Sequence, residues 1–346
     1  MTGIFKSRRI QLLLVLHLYG SLLPGATALA WDARGHQAIG AIADRLIAGT
    51  PAAGQVRAIL GGTQGETLQT ASVWADCARG VSKRDGAFRY TVETRYAECR
   101  PFTTPSGQQE LIGFVQRNWN TCRPQSWQEI CHGQYHYADV PIQRERYARG
   151  VVGTSDHDVV SAIGAAIAVL KGGRAPAPFS LNSKEALRVL VHYVGDVHQP
   201  LHVGALYLAA NGTRVDPVPG NFDPRTSTRG GNRLDLGQGN LHARWDHAPR
   251  DIDAARLSDR IIAQAAQIPP AAGPPESWPV TWATETLVLS RTAYQGLAID
   301  ASNANGDWPV TEPAGYDRRV DELQRLQLVK AGARLAQLLE AIFASR

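Results

Sequence analysis

From Leu187 to Val194 the chain is apolar at most positions, and set into that run are His192 and, four residues on, Asp196. The periodicity predicts a helix over 183–197, opening on a capping pattern at Ser183 with Glu185 close behind. A helix that is apolar nearly all round is a buried one. Residues four apart share a helical face, so an imidazole and a carboxylate are sent together into the interior. An unpaired charge there is costly, and a bound cation removes the cost. Imidazole with carboxylate is an ordinary shell for zinc. Pro200 ends the helix and lets His202 return toward the same face. One His-x-x-x-Asp pair alone is more often a satisfied core pair than a ligand set. Here the spacing recurs in Asn240-Leu-His242-Ala-Arg-Trp-Asp246, with His202 between the two pairs, and the metal reading becomes the better one.

The rest of the chain reads as mainly α. Helical spacing of apolar residues runs over 35–47, 159–170, 281–299 and 321–343, the last interrupted only by Gly332. Alternating strand patterns are few and short. Arg79 to Gly133 is rich in charged and turn-forming residues and reads as a loop-rich, disulfide-stapled insertion. Ala205 to Asn232, with Pro217, Pro219, Pro224, Gly230 and Gly231, reads as an extended surface loop.

Lys6, Arg8 and Arg9, then the apolar run Ile10–Leu23, then Ala28-Leu29-Ala30, form the pattern of a secretory signal cleaved after Ala30. The expected organisation is therefore a leader over 1–30 and a single domain over 31–346, secreted or periplasmic. The leader holds three of the positive charges, so the net charge of +5 falls to +2 without it. Nothing in that balance points to a protein that grips nucleic acid through bulk charge. Cys77, Cys99, Cys122 and Cys131 are an even set in an exported chain, which points to two disulfides with three possible connectivities. The expected pairing is Cys77–Cys99 with Cys122–Cys131. No Cys-x-x-Cys spacing supports a thiolate zinc site. His198 is expected either to support a metal ligand from behind or to be structural, and His132, His157 and His247 to be surface or core-satisfied.

Five segments together resemble the zinc-dependent single-strand-specific nucleases of the P-one and S-one type, which share a fold with bacterial zinc phospholipases C. They are Trp31-Asp-Ala-Arg-Gly-His36, Trp74-Ala-Asp76-Cys-Ala-Arg79, His136-Tyr137-Ala-Asp139, His192 to His202, and Gly230-Gly-Asn232 to Asp246. The resemblance implies a single-domain helical fold and three zinc ions. Asp76, His136, His192 and Asp196 would hold one ion, and His202, His242 and Asp246 a second. Trp31, through its free amine and carbonyl, and His36 would hold a third, with Asp196 bridging it to the first. It further implies Asp76 and Arg79 as catalytic groups, Tyr137 as a stacking face and Asp139 as an acceptor for a base. The implied activity is endonucleolytic hydrolysis of single-stranded DNA and RNA to 5′-phosphorylated products, with 3′-nucleotidase activity as its companion. The implied enzyme is a monomer with no stable membrane association. Two other classes compete: a zinc phospholipase C-like phosphodiesterase, and a zinc-binding protein without catalysis.

Overall fold

The computed structural model describes residues 31–61, 65–91 and 96–344. The expected leader, residues 1–30, lies outside them. Among the described residues thirteen α-helices dominate, and the strands are two to four residues long. The organising element is the Ser183–Asp196 helix, buried at every position from Glu185 to Asp196. Its cap is Asn182, one residue before the Ser183 suggested by sequence. Asn182 Oδ1 accepts from the Glu185 N–H at 2.9 Å, and Glu185 Oε2 accepts from the Asn182 N–H at 3.0 Å. A carboxamide oxygen serves in this reciprocal cap as well as a hydroxyl does.

Around that helix the others close the core. The Val159–Leu170 helix, capped by Asp158, packs along it, as does the Ala33–Leu46 helix near its C-terminal end. The Tyr316–Phe343 helix covers the Ala33–Leu46 helix. They meet closely at Gly332, where a Cβ would stand 2.6 Å from Ile42 Cβ. The glycine that interrupts the apolar pattern is therefore a contact point between two backbones. The Tyr316–Phe343 helix begins five residues before its apolar periodicity does. The helix expected over 281–299 runs instead over Trp278–Tyr294, because Gln295 turns extended and Ala298–Ile299 pairs antiparallel with Trp308–Thr311.

The Arg79–Gly133 segment is stapled by Cys77–Cys99 and Cys122–Cys131, the expected pairing. Between the staples it holds more structure than its composition suggested. Val81–Arg84 and Ala87–Tyr90 form a hairpin, and Pro105–Arg117 forms a helix. Thr104 caps that helix by accepting from the Gly107 N–H at 3.1 Å, Pro105 stands at its first position, and Leu111, Phe114 and Val115 enter the core. Ala205 to Asn232 is largely irregular, but Leu206, Tyr207 and Leu208 are buried. No helix among the described residues is long and apolar enough to cross a membrane.

Candidate metal centre

The C-terminal end of the Ser183–Asp196 helix is the focus of the molecule. The helix stops at Asp196, and Pro200 begins a new short helix, Pro200–Val203, that carries His202. The Leu241–Asp246 helix supplies His242 and Asp246 on one face. His36 comes from the Ala33–Leu46 helix, Asp76 from the Trp74–Ala78 helix, and His136 from the turn after Cys131–Gln134. Gly195 makes room for His36, whose Nδ1 lies 2.9 Å from where a Cβ would be. The Trp31 indole donates to the Gly195 carbonyl at 3.0 Å, and the Asp32 N–H donates to the Asp246 carbonyl at 2.7 Å, which fixes this end of the described chain beside the cluster.

Three groups of side chains bring their ligand atoms close enough to share an ion: His36 with His192 and Asp196, Asp76 with His136 and His192, and His202 with His242 and Asp246. The two oxygens of Asp196 face different ways. Oδ2 lies 3.1 Å from His136 Nδ1 and 3.3 Å from His192 Nε2, while Oδ1 lies 3.4 Å from His36 Nε2. The structure thus assembles every sequence-predicted imidazole and carboxylate of the cluster, and Asp196 is its hub.

Hydrogen bonds fix which nitrogen of each ring is free. His192 Nδ1 donates to the Ser72 carbonyl at 2.6 Å, His202 Nδ1 to the His136 carbonyl at 2.8 Å, and His242 Nδ1 to the Gly230 carbonyl at 2.8 Å. Each ring therefore turns its Nε2 inward, the arrangement that backbone carbonyls impose on metal-binding histidines, and on His202 and His242, which burial keeps neutral, that nitrogen carries a lone pair. The consequence is sharpest between His202 and His242, whose Nε2 atoms stand 3.0 Å apart. Two lone pairs at that distance repel, and a cation between them turns repulsion into coordination. Both nitrogens of His36, His136 Nε2, Asp76 Oδ1, Asp196 Oδ1 and Asp246 Oδ2 are likewise buried without a hydrogen-bond partner. The residues present fit a divalent cation centre.

The electrostatics are unresolved in the same sense. Burial resists the charge on Asp196, yet His192, His202 and hydrogen bonds from His136 and His192 hold its carboxyl well below the usual range. His192 is likewise resisted by burial and pulled up to about 9 by Asp196 and Asp76. Burial and the nearby His202 push His242 down to about 3, and burial drives Asp246 well up. Without a cation the cluster thus divides into an ionised Asp196–His192 pair and a neutral His242–Asp246 pair.

At the mouth of the cluster lie the remaining predicted groups. Both Glu129 oxygens accept from Arg79 Nη2 at 3.3 Å, and Asp76, Tyr137 and Asp196 also face this guanidinium. Tyr137 and Asp139 are half-buried, and burial pushes Asp139 up to about 7, with Arg229 opposing and Glu129 adding. Glu129, Gln199 and Arg229 escaped the sequence reading. Gln199 donates to Asp246 Oδ1 at 2.6 Å and lies inside a segment already singled out, whereas Glu129 and Arg229 carry no local signal. His198 is structural, one of the two roles expected: its Nδ1 donates to the Val194 carbonyl at 2.7 Å and its Nε2 faces Arg334 at 3.1 Å. His132 departs from expectation. It is buried, both its ring nitrogens lack partners, and its ring lies against Phe114; nothing in the structure explains this.

A mainly α fold with His/Asp groups able to hold metal at the end of one buried helix is that of the phospholipase C/nuclease class. Within this class the chain belongs to the S1/P1 nuclease family, whose model matches residues 31–344. It is 27% identical over 187 residues to Nuclease S1 of Aspergillus oryzae and 31% identical over 185 residues to Nuclease P1 of Penicillium citrinum. Each match covers 48% of this chain, and 56% and 60% of the two relatives respectively, so the chain spans little more than half the length of the relatives it matches.

Proposed function

We propose that the protein is an exported zinc-dependent phosphodiesterase that cleaves single-stranded DNA and RNA to 5′-phosphorylated products. The observation that carries this reading is the pair of inward lone pairs on His202 and His242, 3.0 Å apart. Three zinc ions are proposed. Asp76, His136, His192 and Asp196 would hold the first, and His202, His242 and Asp246 the second. Trp31 and His36 would hold the third, together with Asp196. Bound zinc would lower the pKa of water toward neutrality and neutralise charge on the phosphoryl oxygens and the leaving oxygen.

The chain's own groups do the rest. Asp76, whose Oδ1 is buried without a partner, orients the attacking water. Arg79, steadied by Glu129, braces the phosphate through its planar fork. Tyr137 stacks on a base and Asp139 accepts from the base edge, which requires that the base be unpaired. This pocket favours a nucleotide over a phospholipid headgroup. The number of donor groups, buried and held from behind by carbonyls, favours a resident catalytic centre over a carrier of exchangeable zinc. Cleavage after Ala30 would free the Trp31 amine for its ion, and the mature enzyme is proposed to act as a secreted or periplasmic monomer without membrane association. Prolonged chelation should abolish hydrolysis of single-stranded DNA and RNA, and added zinc should restore it, with phosphatidylcholine left intact throughout. Full nuclease activity in a protein shown to be free of metal would refute the proposal.

A further inference from the structure

Residues 228–232 form a tight loop that the function above leaves unused. Arg229, Gly230 and Gly231 have φ of 51°, 56° and 88°, three consecutive residues in the left-handed region. Glycine occupies that region freely, whereas an arginine there stores strain that the surrounding structure must enforce. The enforcement is visible. The Gly230 carbonyl accepts from His242 Nδ1 at 2.8 Å, and a Cβ on Gly230 would stand 2.2 Å from the Leu201 carbonyl oxygen. The Arg229 N–H donates to Ser227 Oγ at 3.1 Å, and the Arg229 carbonyl accepts from the Asn232 N–H at 3.0 Å and its side-chain amide at 2.9 Å. The loop is thus pinned to the metal centre with Arg229 at its tip.

The same pins bring Arg229 to the pocket of Tyr137 and Asp139. Ala138 donates to the His202 carbonyl at 2.7 Å, one residue along from the Leu201 carbonyl against which Gly230 packs. Tyr207 bridges to Ser227 and donates through its hydroxyl to the Asp139 carbonyl at 2.7 Å. Arg229 is therefore near enough for its charge to act on both Asp139 and Tyr137 without a direct ion pair to either. It is exposed, and among the described residues no carboxylate lies within ion-pair distance of it. The loop therefore brings a donor-only group into the neighbourhood of a carboxylate acceptor and an aromatic ring.

We propose that Arg229 is a base-reading residue that, with Asp139, makes this pocket selective for guanine. The inference rests on the nuclease reading of the site. Guanine alone offers two adjacent donors, N1–H and the 2-amino group, to a carboxylate. Beside them lie O6 and N7, the acceptors that an arginine fork takes together. Adenine sets its single amino group between two acceptors, cytosine has one amino donor, and uracil and thymine have one ring N–H between two carbonyls. None of these fills both partners twice.

The test uses oligo(dT) carrying one guanine, inosine, 7-deazaguanine or adenine, cleaved by the zinc-loaded enzyme and by Arg229→Met and Arg229→Lys. Binding of guanosine, inosine and 7-deazaguanosine monophosphates is measured beside it by calorimetry. The parent should favour guanine over 7-deazaguanine by about 5- to 150-fold. Arg229→Met should lose that ratio and Arg229→Lys keep part of it, while both keep the guanine-over-inosine ratio, which belongs to Asp139. An equal loss on every base, with the salt dependence of log KM shallower by about 0.7, would assign Arg229 to a phosphate and overturn the proposal. Unchanged ratios in both variants would overturn it as well. If the parent cleaves no oligonucleotide, the nuclease reading fails on its own, and the calorimetric ratios still decide what Arg229 reads.

Discussion

Gly195→Ala tests the construction of the metal centre with a single methyl group. Gly195 lies in the last turn of the buried helix, directly before Asp196. A Cβ there would meet His36 Nδ1 at 2.9 Å, His36 Cε1 at 3.0 Å and Ile39 Cδ1 at 3.1 Å, all well inside ordinary contact of about 3.5–4.0 Å. His36 must then retreat from the helix, and that retreat carries it away from Asp196 Oδ1, now 3.4 Å from its Nε2, and from the His192 ring stacked on it at 3.8 Å. Overpacking of this kind costs about 1–3 kcal/mol. Replacing glycine by alanine in a helix returns up to about 1 kcal/mol. Gly164→Ala supplies the reference, because Gly164 is in the Val159–Leu170 helix with open space around its Cβ position and should gain about 0.5–1 kcal/mol. Urea unfolding of the chelated proteins should therefore separate the two variants by about 1–3 kcal/mol, the cost of the contact itself. Elemental analysis of the zinc-loaded proteins should find Gly195→Ala short of the ion that His36 holds, and Gly164→Ala complete. Equal unfolding midpoints and an unchanged zinc content in Gly195→Ala would refute the reasoning.

Three further outcomes are expected. Asp196→Asn, altering the carboxylate whose oxygens face two groups of imidazoles, should deplete two ions, and Asp246→Asn one; equal losses by elemental analysis would remove the bridging role. Protein matured to begin at Trp31 should be active, whereas one extra alanine before it converts a basic amine into a non-basic amide; that form should fold but lose most activity, and equal specific activity, with the extension verified by mass spectrometry, would take Trp31 out of the site. Asp139 is pushed up to about 7 by burial, against Arg229 and with Glu129, while the unfolded carboxyl ionises near 4. Its folded-state pKa is the higher one, so its contribution to stability is lost as pH rises from about 4 to about 7 and is constant above. Asp139→Asn should accordingly gain stability on the parent across that window and hold the gain beyond it; thermal melts of the chelated proteins from pH 4 to pH 8 check this, and a pH-independent difference would contradict it.

The cluster of imidazoles and carboxylates that could hold metal was legible because its signal is short-range and periodic. His192 with Asp196, and His242 with Asp246, are pairs four residues apart that any helix places on one face. An apolar surround then implies that the pair is buried, whatever the rest of the fold does. The helices over 33–46 and 159–170 were legible for the same reason, as were the limits of the Ser183–Asp196 helix to within a residue. Where the expected bounds failed, the stop was made by another part of the chain: the helix begun at Trp278 ends at Tyr294 because a strand partner, Trp308–Thr311, takes over the backbone at Ala298.

What no local pattern holds is closure between distant segments. Glu129 finds Arg79 across fifty positions, and His242 turns its free nitrogen inward only because the Gly230 carbonyl, twelve residues back, takes the other. Gly332 is an interruption in the sequence and a contact surface in the fold, since only the approach of Ile42 gives the missing side chain a purpose. Arg229 is one more exposed cation until the left-handed loop, pinned at Leu201 and His242, brings its charge within reach of Asp139. The sequence by itself determined the kinds of groups and the helical faces that carry them, because side-chain chemistry and a 3.6-residue period are local properties. Only the tertiary structure decided which lone pairs meet, which carbonyls stand behind them and which charges go unanswered, because those depend on distances between residues that the chain brings together only by folding.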